Sequence, residues 1–426
     1  MTISFGKIIK MKRMEKAITQ EELCVGICTP SYLSRIENNR VIADEHIYTL
    51  LFQRLGMDVP KNDNPIDVDE ELELVYKKLV RSEEVTEADM MKLESLANRA
   101  GGDAIMKYEL VYCKYLIRNR EFDSAYKRLR QMDEMIQKKL DRTYFIYINN
   151  YLIYHSFNRE YEKAVQISNQ LIQTSGYRHL GDAYELGIFF YNLAFNYKNI
   201  YEYNEAIHYV TEALQLFNEN YLLEHAIDCQ IILGICYNNI HKWDESIRAY
   251  RHAKKILTYL PEEEHEHYQG MIYNNLGNCY ENQEDYHQAI KYYLESLKYE
   301  RKISKENNKM ITYINLVRCY YKLDQWTEAI NWLEHAFKHC SKLTDKLYVY
   351  QIRIFQSVLF HVPTMEEIIA LQNETVEYFK EQKRWSLVIF YGELFAQMYE
   401  QANHHKKANQ MYKQIMRSQE CIRLGS

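Results

Sequence analysis

Residues suited to reading a polyanion cluster near the start of the chain. Ser31, Tyr32 and Arg35 stand on a segment that opens with Thr29-Pro30, and Gln20, Asn38 and Arg40 flank it. Hydroxyls and a guanidinium at that spacing suit base edges, whereas Gln20 and the Asn38–Arg40 turn suit phosphate oxygens. A second set is spread along the chain: Asn149, Asn150, Asn192, Asn238, Asn239, Asn274, Asn275, Asn278, Asn315 and Arg318. A primary amide donates and accepts at once, so a row of asparagines can ladder along an extended peptide backbone without demanding a sequence. Tyr191, Phe195 and Tyr321 are placed to add side-chain pockets. Asparagine ahead of Leu-Gly or Leu-Ala also serves to bond neighbouring helices, so each amide has a structural alternative.

No other constellation points to chemistry. Cys24 and Cys28 lack the second ligand pair of a zinc site. Cys236, Cys279 and Cys319 each stand two residues after a small residue, where packing needs a small apolar side chain. His265 and His267 are two apart, a spacing that does not put two ligands on one helical face. HExxH, P-loop, GxSxG and GxGxxG patterns are absent from the sequence. No catalytic residue, metal or cofactor is therefore expected.

The elements that must position the first set are short helices. Thr19-Gln20-Glu21-Glu22 has the form of a capping box. A helix follows to about Val25, and Gly26-Ile27-Cys28 forms a turn. Thr29 then caps a second helix with Pro30 at its first position. Leu23, Leu33 and Ile36 face inward, which leaves Ser31, Tyr32 and Arg35 outward. Flanking helices are predicted over about 4–16 and 44–56, with Ile47, Leu50, Leu51 and Leu55 inward. The whole reads as a helix-turn-helix whose second helix would enter the major groove.

The second set belongs to a repeat. A small slot recurs at Ala125, Ala164, Ala206, Ser246, Ala289, Ala329 and Ala408, with steps of 39, 42, 40, 43, 40 and 79. Twelve residues before it stand Cys113, Leu152, Ala194, Gly234, Gly277, Val317 and Ala396, and seven after it stand Ala213, Ala253, Ser296 and Ala336. Tyr197, Tyr237, Tyr280, Tyr320 and Tyr399 form an aromatic slot expected to fill the space beside the small residue. Residues 273–297 have tetratricopeptide spacing, and the longer period implies lengthened hairpins. The expected fold is all-α: a helix-turn-helix bundle over 1–60, a polar linker over 61–72, and a right-handed superhelix of about eight TPR-like hairpins over 73–426, with one or two non-repeat helices in 73–101. The asparagines would line its concave face.

Composition agrees with helices. In 426 residues there are 13 Gly and 5 Pro, too few for a sandwich or barrel. Net charge is −6, whereas residues 1–60 carry eight Lys/Arg against seven Asp/Glu. Five bases (Lys7, Lys10, Lys12, Arg13, Lys16) within the first sixteen residues hint at a local polyanion-binding module. One copy at a net +1 makes few phosphate contacts, so a dimer on two half-sites is implied. No signal peptide or membrane span is expected, and nine cysteines suit reduced thiols in the cytoplasm.

The run TQEELCVGICTPSYLSRIENNR resembles the Cro/repressor-type helix-turn-helix, and Gly26-Ile27-Cys28-Thr29-Pro30-Ser31 resembles the matching segment of PlcR and NprR. Joined to long-period tetratricopeptide repeats in one chain, it resembles the RNPP family of Gram-positive bacteria, which comprises the Rap, Rgg, NprR, PlcR and PrgX proteins, with a length that is NprR-like. The resemblance implies a cytoplasmic quorum-sensing transcription regulator that binds promoter DNA. It implies an oligopeptide pheromone bound in the repeat groove that changes the homo-oligomer, dimer or tetramer, or the setting of the DNA-binding domains. The alternative is a TPR protein-interaction scaffold with a vestigial helix-turn-helix, or, by analogy, a Rap-like inhibitor that sequesters a sporulation-phosphorelay response regulator.

Overall fold

The structure is a computed structural model that describes residues 5–57, 65–100, 102–133, 136, 139–299, 306–340, 346–360 and 363–424. Four short helices come first: α1 (Phe5–Glu15), α2 (Gln20–Cys24), α3 (Pro30–Glu37) and α4 (Glu45–Arg54). Next are α5 (Pro65–Val80) and α6 (Glu87–Ala100). Eight hairpins follow: α7 (Gly102–Arg118) with α8 (Phe122–Asp133), α9 (Arg142–Phe157) with α10 (Tyr161–Ile172), α11 (Ala183–Asn199) with α12 (Tyr203–Glu219), and α13 (Leu223–Asn239) with α14 (Trp243–Leu257). The last four are α15 (Glu262–Asn282) with α16 (Tyr286–Tyr299), α17 (Glu306–Lys322) with α18 (Trp326–Cys340), α19 (Lys346–Leu359) with α20 (Met365–Glu381), and α21 (Trp385–Gln401) with α22 (His405–Leu424). No strand occurs among the described residues. Two compact units result, residues 1–192 and 193–426.

The first unit joins the helix-turn-helix bundle to α5, α6 and the first hairpins, so no unit boundary falls near residue 60. The expected linker 61–72 is helical from Pro65 onward; residues 61–64 lie outside the described residues. The reason is periodicity: Val68, Leu72, Val75, Tyr76 and Leu79 recur on one face, and all are buried. Proline at the first helical position costs no hydrogen bond.

The hairpins bear out the repeat slots. Ala125, Ala164, Ala206, Ser246, Ala289 and Ala329 are fully buried, as are Ala213, Ala253, Ser296 and Ala336. The seventh hairpin has no alanine there; Ile368, 3% exposed, stands midway between Ala329 and Ala408. The ring against the small residue is not the one expected. A Cβ on Gly277 would lie 2.6 Å from the Tyr293 ring, and one on Gly234 would strike Tyr250. Both tyrosines come from the second helix of the hairpin, sixteen residues on, whereas Tyr237 and Tyr280 are half-buried.

Turns inside the hairpins share one device. Arg120, Arg159, Tyr201, His241, Glu284, Asp324 and Asn403 all have positive φ, between 56° and 69°. They recur with the same steps as the alanine slot, five residues ahead of it. A left-handed residue closes each helix and turns the chain into the next.

Candidate functional site: recognition helix and repeat face

Local chemistry builds the helix-turn-helix as expected. Thr19 accepts from the Glu22 amide, and Glu22 returns a bond to the Thr19 amide at 2.7 Å. Gly26 takes φ +70° in the turn. The Thr29 side chain accepts from the Tyr32 amide, and Pro30 opens α3. Leu23, Leu33 and Ile36 are fully buried. Ser31, Arg35, Asn38 and Arg40 are exposed and Tyr32 is half-buried. In α4, Leu51 and Leu55 are buried, but Ile47 and Leu50 are half-buried. Tyr48 and Phe52 take the core places, both edge-on to Phe5. Gly6 lets α1 approach α3, because a Cβ there would overlap the Ile36 carbonyl oxygen.

Two residues of the basic stretch, and Gln20, are committed inside the protein. Arg13 donates from Nε to Glu37 at 2.6 Å and from Nη1 to the Ile18 carbonyl at 2.9 Å. Gln20 Nε2 donates to Glu37 at 2.6 Å, so its amide serves the bundle and not the outer surface. Lys12 is 3% exposed. Its Nζ lies 3.0 Å from both Glu15 and Glu109, and Arg128 pairs with the same two carboxylates. Burial opposes the Lys12 charge, but Glu109 and Glu15 outweigh it and raise its pKa. Burial likewise opposes the Glu15 charge, and Lys12 and Arg128 outweigh it and lower its pKa. This quartet ties α1 to α7 and α8.

The expected asparagine row resolves into bonds between and within helices. In the first unit Asn150 is fully buried and donates to the Leu110 carbonyl at 2.8 Å. Asn149 donates to the Tyr76 hydroxyl at 3.4 Å, because α5 lies against this face of α9. Arg142 fixes α5 there, donating to Glu73 and Glu185. Asn192 is half-buried on α11. In the second unit Asn238 donates to Asn278 at 2.9 Å, Asn239 to the Ile235 carbonyl and Asn274 to Thr312. Asn315 accepts from Arg318, which also clasps Glu281 at 2.8 and 3.1 Å. Asn275 is half-buried. Asparagines on either side of the small slot therefore bond first helix to first helix, as at Asn150, Asn238 and Asn274, or stay within their own helix, as at Asn239 and Asn315.

First helices of non-adjacent hairpins also meet inside the second unit, which periodicity could not reveal. Lys322 reaches Glu393 at 3.3 Å, Tyr321 donates to Gln397 at 3.5 Å, and Arg318 lies 5.8 Å from the Phe390 ring centre. Tyr201 donates to the Lys383 carbonyl. Lys198 lies over Phe195 at 4.6 Å, and burial pushes its pKa down. No His, Cys, Asp or Glu group able to hold a metal ion occurs among the described residues. No described helix is long and apolar enough to cross a membrane.

Fold and site define a helix-turn-helix joined to TPR-like hairpins. A tetratricopeptide-repeat family profile matches residues 268–342. The chain is 26% identical over 254 residues to the transcriptional activator NprA of Geobacillus stearothermophilus, covering 59% of this chain and 62% of NprA. It is 25% identical over 251 residues to response regulator aspartate phosphatase I of Bacillus subtilis, covering 54% of this chain and 61% of that protein. The matches thus span about three-fifths of each curated relative. NprR in complex with its cognate peptide NprX has a similar structure: TM-score 0.59, 20% identity, 82% of this chain and 98% of that one. Likeness to the solved structure shows a shared helical-repeat fold.

Proposed function

We propose that the chain is a transcription regulator in which a helix-turn-helix over 1–60 binds promoter DNA and an oligopeptide held by the repeats of 73–426 switches it. The carrying observation is the doubly capped α2–α3 pair, which presents Ser31 and Arg35 to solvent over a fully buried Leu23–Leu33–Ile36 core. Such a pair satisfies its own helix ends and leaves its outer side chains for base edges. Arg35 is the base reader, with Ser31 and Tyr32 beside it and Asn38 and Arg40 on phosphates. Lys12 and Arg13 are engaged in ion pairs, so one copy makes few phosphate contacts and two copies, as dimer or tetramer, bind together.

The peptide site we assign is the first-helix face, with Asn275 supplying an amide. Peptide would compete with exposed bridges such as Lys322–Glu393 and shift the population between two arrangements of the hairpins. The reading includes no catalysis and no cofactor, and its DNA target places it in the cytoplasm. A second reading rests on the likeness to aspartate phosphatase I: the repeats would bind a phosphorelay response regulator.

The test is titration of promoter fragments at fixed salt, with and without synthetic oligopeptides. Arg35→Ala should weaken DNA binding by about 1–3 kcal/mol. Asn275→Ala should weaken peptide binding by about 1–3 kcal/mol in calorimetry. Promoter binding unchanged by Arg35→Ala removes Arg35 from the reading surface. Response-regulator capture without any DNA binding selects the second reading.

A further inference from the structure

A cavity of about 510 Å3 opens in the first unit between α1, the end of α3 and α8. That is ligand-sized, within the roughly 300–1,000 Å3 of small-molecule sites. Its apolar part is Met11 and Met14 of α1 and Tyr126 of α8. Tyr126 is fixed by stacking on Tyr154 at 4.9 Å. Lys7, Lys10, Lys127 and Arg130 bring positive charge from both sides. Lys127 and Arg130 are exposed, and Arg130 lies 6.0 Å from the Tyr126 ring centre. Two acids also line it, Glu37 and Asp123. Glu37 is already satisfied by Arg13 and Gln20.

We propose that this cavity binds a small amphipathic anion, its phosphate- or carboxylate-type head held by Lys127 and Arg130 and its apolar body laid on Met11, Met14 and Tyr126. Arginine and lysine suit such a head because they donate charge-assisted hydrogen bonds in parallel. An apolar floor discriminates against a bare inorganic anion, which has nothing to bury there. The site spans the joint between the helix-turn-helix and the first hairpin. Asn38, which ends α3, and Met11, the neighbour of Lys12 on α1, both line it. An occupant would therefore clamp α1 to α8 from the side opposite the Lys12–Glu109 quartet. The site shares Asn38 with the DNA reading, but its head and body contacts are other residues.

Phenyl phosphate supplies such a head and body. It is titrated into the full chain carrying 13C-methyl methionine, with Met11 and Met14 assigned through Met11→Leu and Met14→Leu. Both signals should shift and saturate together. Benzyl alcohol and inorganic phosphate, body alone and head alone, should each bind at least tenfold more weakly. Lys127→Glu with Arg130→Glu should weaken phenyl phosphate at least tenfold. Met14→Trp, which fills the cavity from a partly exposed position, should abolish binding while both charges remain. No saturable shift, or equal affinity in the charge-reversed variant, overturns the proposal. Inorganic phosphate binding as well as phenyl phosphate, or displacement by a short unrelated DNA duplex, overturns it too, by making the rim a surface for backbone phosphate.

Discussion

Lys12 shows what a single residue can hide. In the sequence it is one of five cations in a basic stretch; in the fold it is buried at 3% exposure among three carboxylates, Glu15, Glu94 and Glu109. Glu109 lies 97 residues away, so no local pattern could pair them. The Thr19–Glu22 capping box was legible because its partners are three residues apart. Replacing Glu109 by Gln leaves Lys12 and Arg128 short of a counter-charge. It should cost about 3–5 kcal/mol in urea unfolding and raise hydrogen exchange over residues 5–57. The pH dependence has two sides. The lowered Glu15 pKa gives stability that is lost as pH falls below about 4, and the raised Lys12 pKa gives stability lost only above about 10. Asp228 has the opposite sign: burial pushes its pKa up to about 6, with Glu224 adding to the rise and Tyr268 opposing it. Its ionisation costs stability progressively from about pH 4 to pH 6 and fully above. Asp228→Asn should therefore stabilise by about 1–3 kcal/mol at pH 7 and hardly at all near pH 4, read as paired urea midpoints.

At the scale of the helix, small residues matter by what they face. The alanine slots were legible because every one obeys the same burial. The glycines were legible as small, but their partner rings were not, since contact between α15 and α16 runs from Gly277 to Tyr293 and passes over the more obvious Tyr280. Gly277→Ala should cost about 1–3 kcal/mol, because the Cβ must move a fully buried tyrosine whose hydroxyl donates to Glu281 at 2.6 Å. Loss of helicity at lower temperature checks it; an unchanged midpoint would mean that the ring shifts without cost. Tyr221 offers the reverse case. It is 85% exposed and holds φ at 56° between α12 and α13. Tyr221→Gly should stabilise by about 1 kcal/mol, since glycine takes that conformation without the Cβ penalty. The amide row reads two ways for a physical reason: an asparagine facing a neighbouring helix and one facing a peptide need the same spacing, and only burial separates them.

For the whole molecule, the link between the helix-turn-helix and the repeats is the point where sequence and structure diverge most. The acidic, proline-containing stretch reads as a tether, yet α5 begins at Pro65 and α1 packs on α7 and α8 through buried ions. Coupling of peptide to DNA should therefore survive flexible residues inserted within 61–64. It should fail in Glu109→Gln, where the ions no longer hold. Promoter titrations with and without peptide on the two variants decide this. Loss of the response in the insertion variant alone would return the coupling to the tether. Eight hairpins and an all-helical chain were legible from a period near 40; closure of α17 on α21 was not, because pairs 71 to 76 residues apart leave no periodic trace.

The Gly–Tyr fit also bears on how such arrays are inherited. Sixteen residues after Gly234 and Gly277 stands tyrosine, after Ala194 valine, after Val317 leucine and after Leu152 serine. Among these five hairpins tyrosine stands opposite glycine alone, and in the last hairpin, where Tyr412 follows Ala396 by sixteen, the ring is exposed. Crossing α11 into the place of α15 would set an alanine against Tyr293, whereas exchanging both helices of a hairpin carries lock and key together. Viable recombination should cut between hairpins and spare their turns, which makes the pair, and not the helix, the heritable unit of this chain.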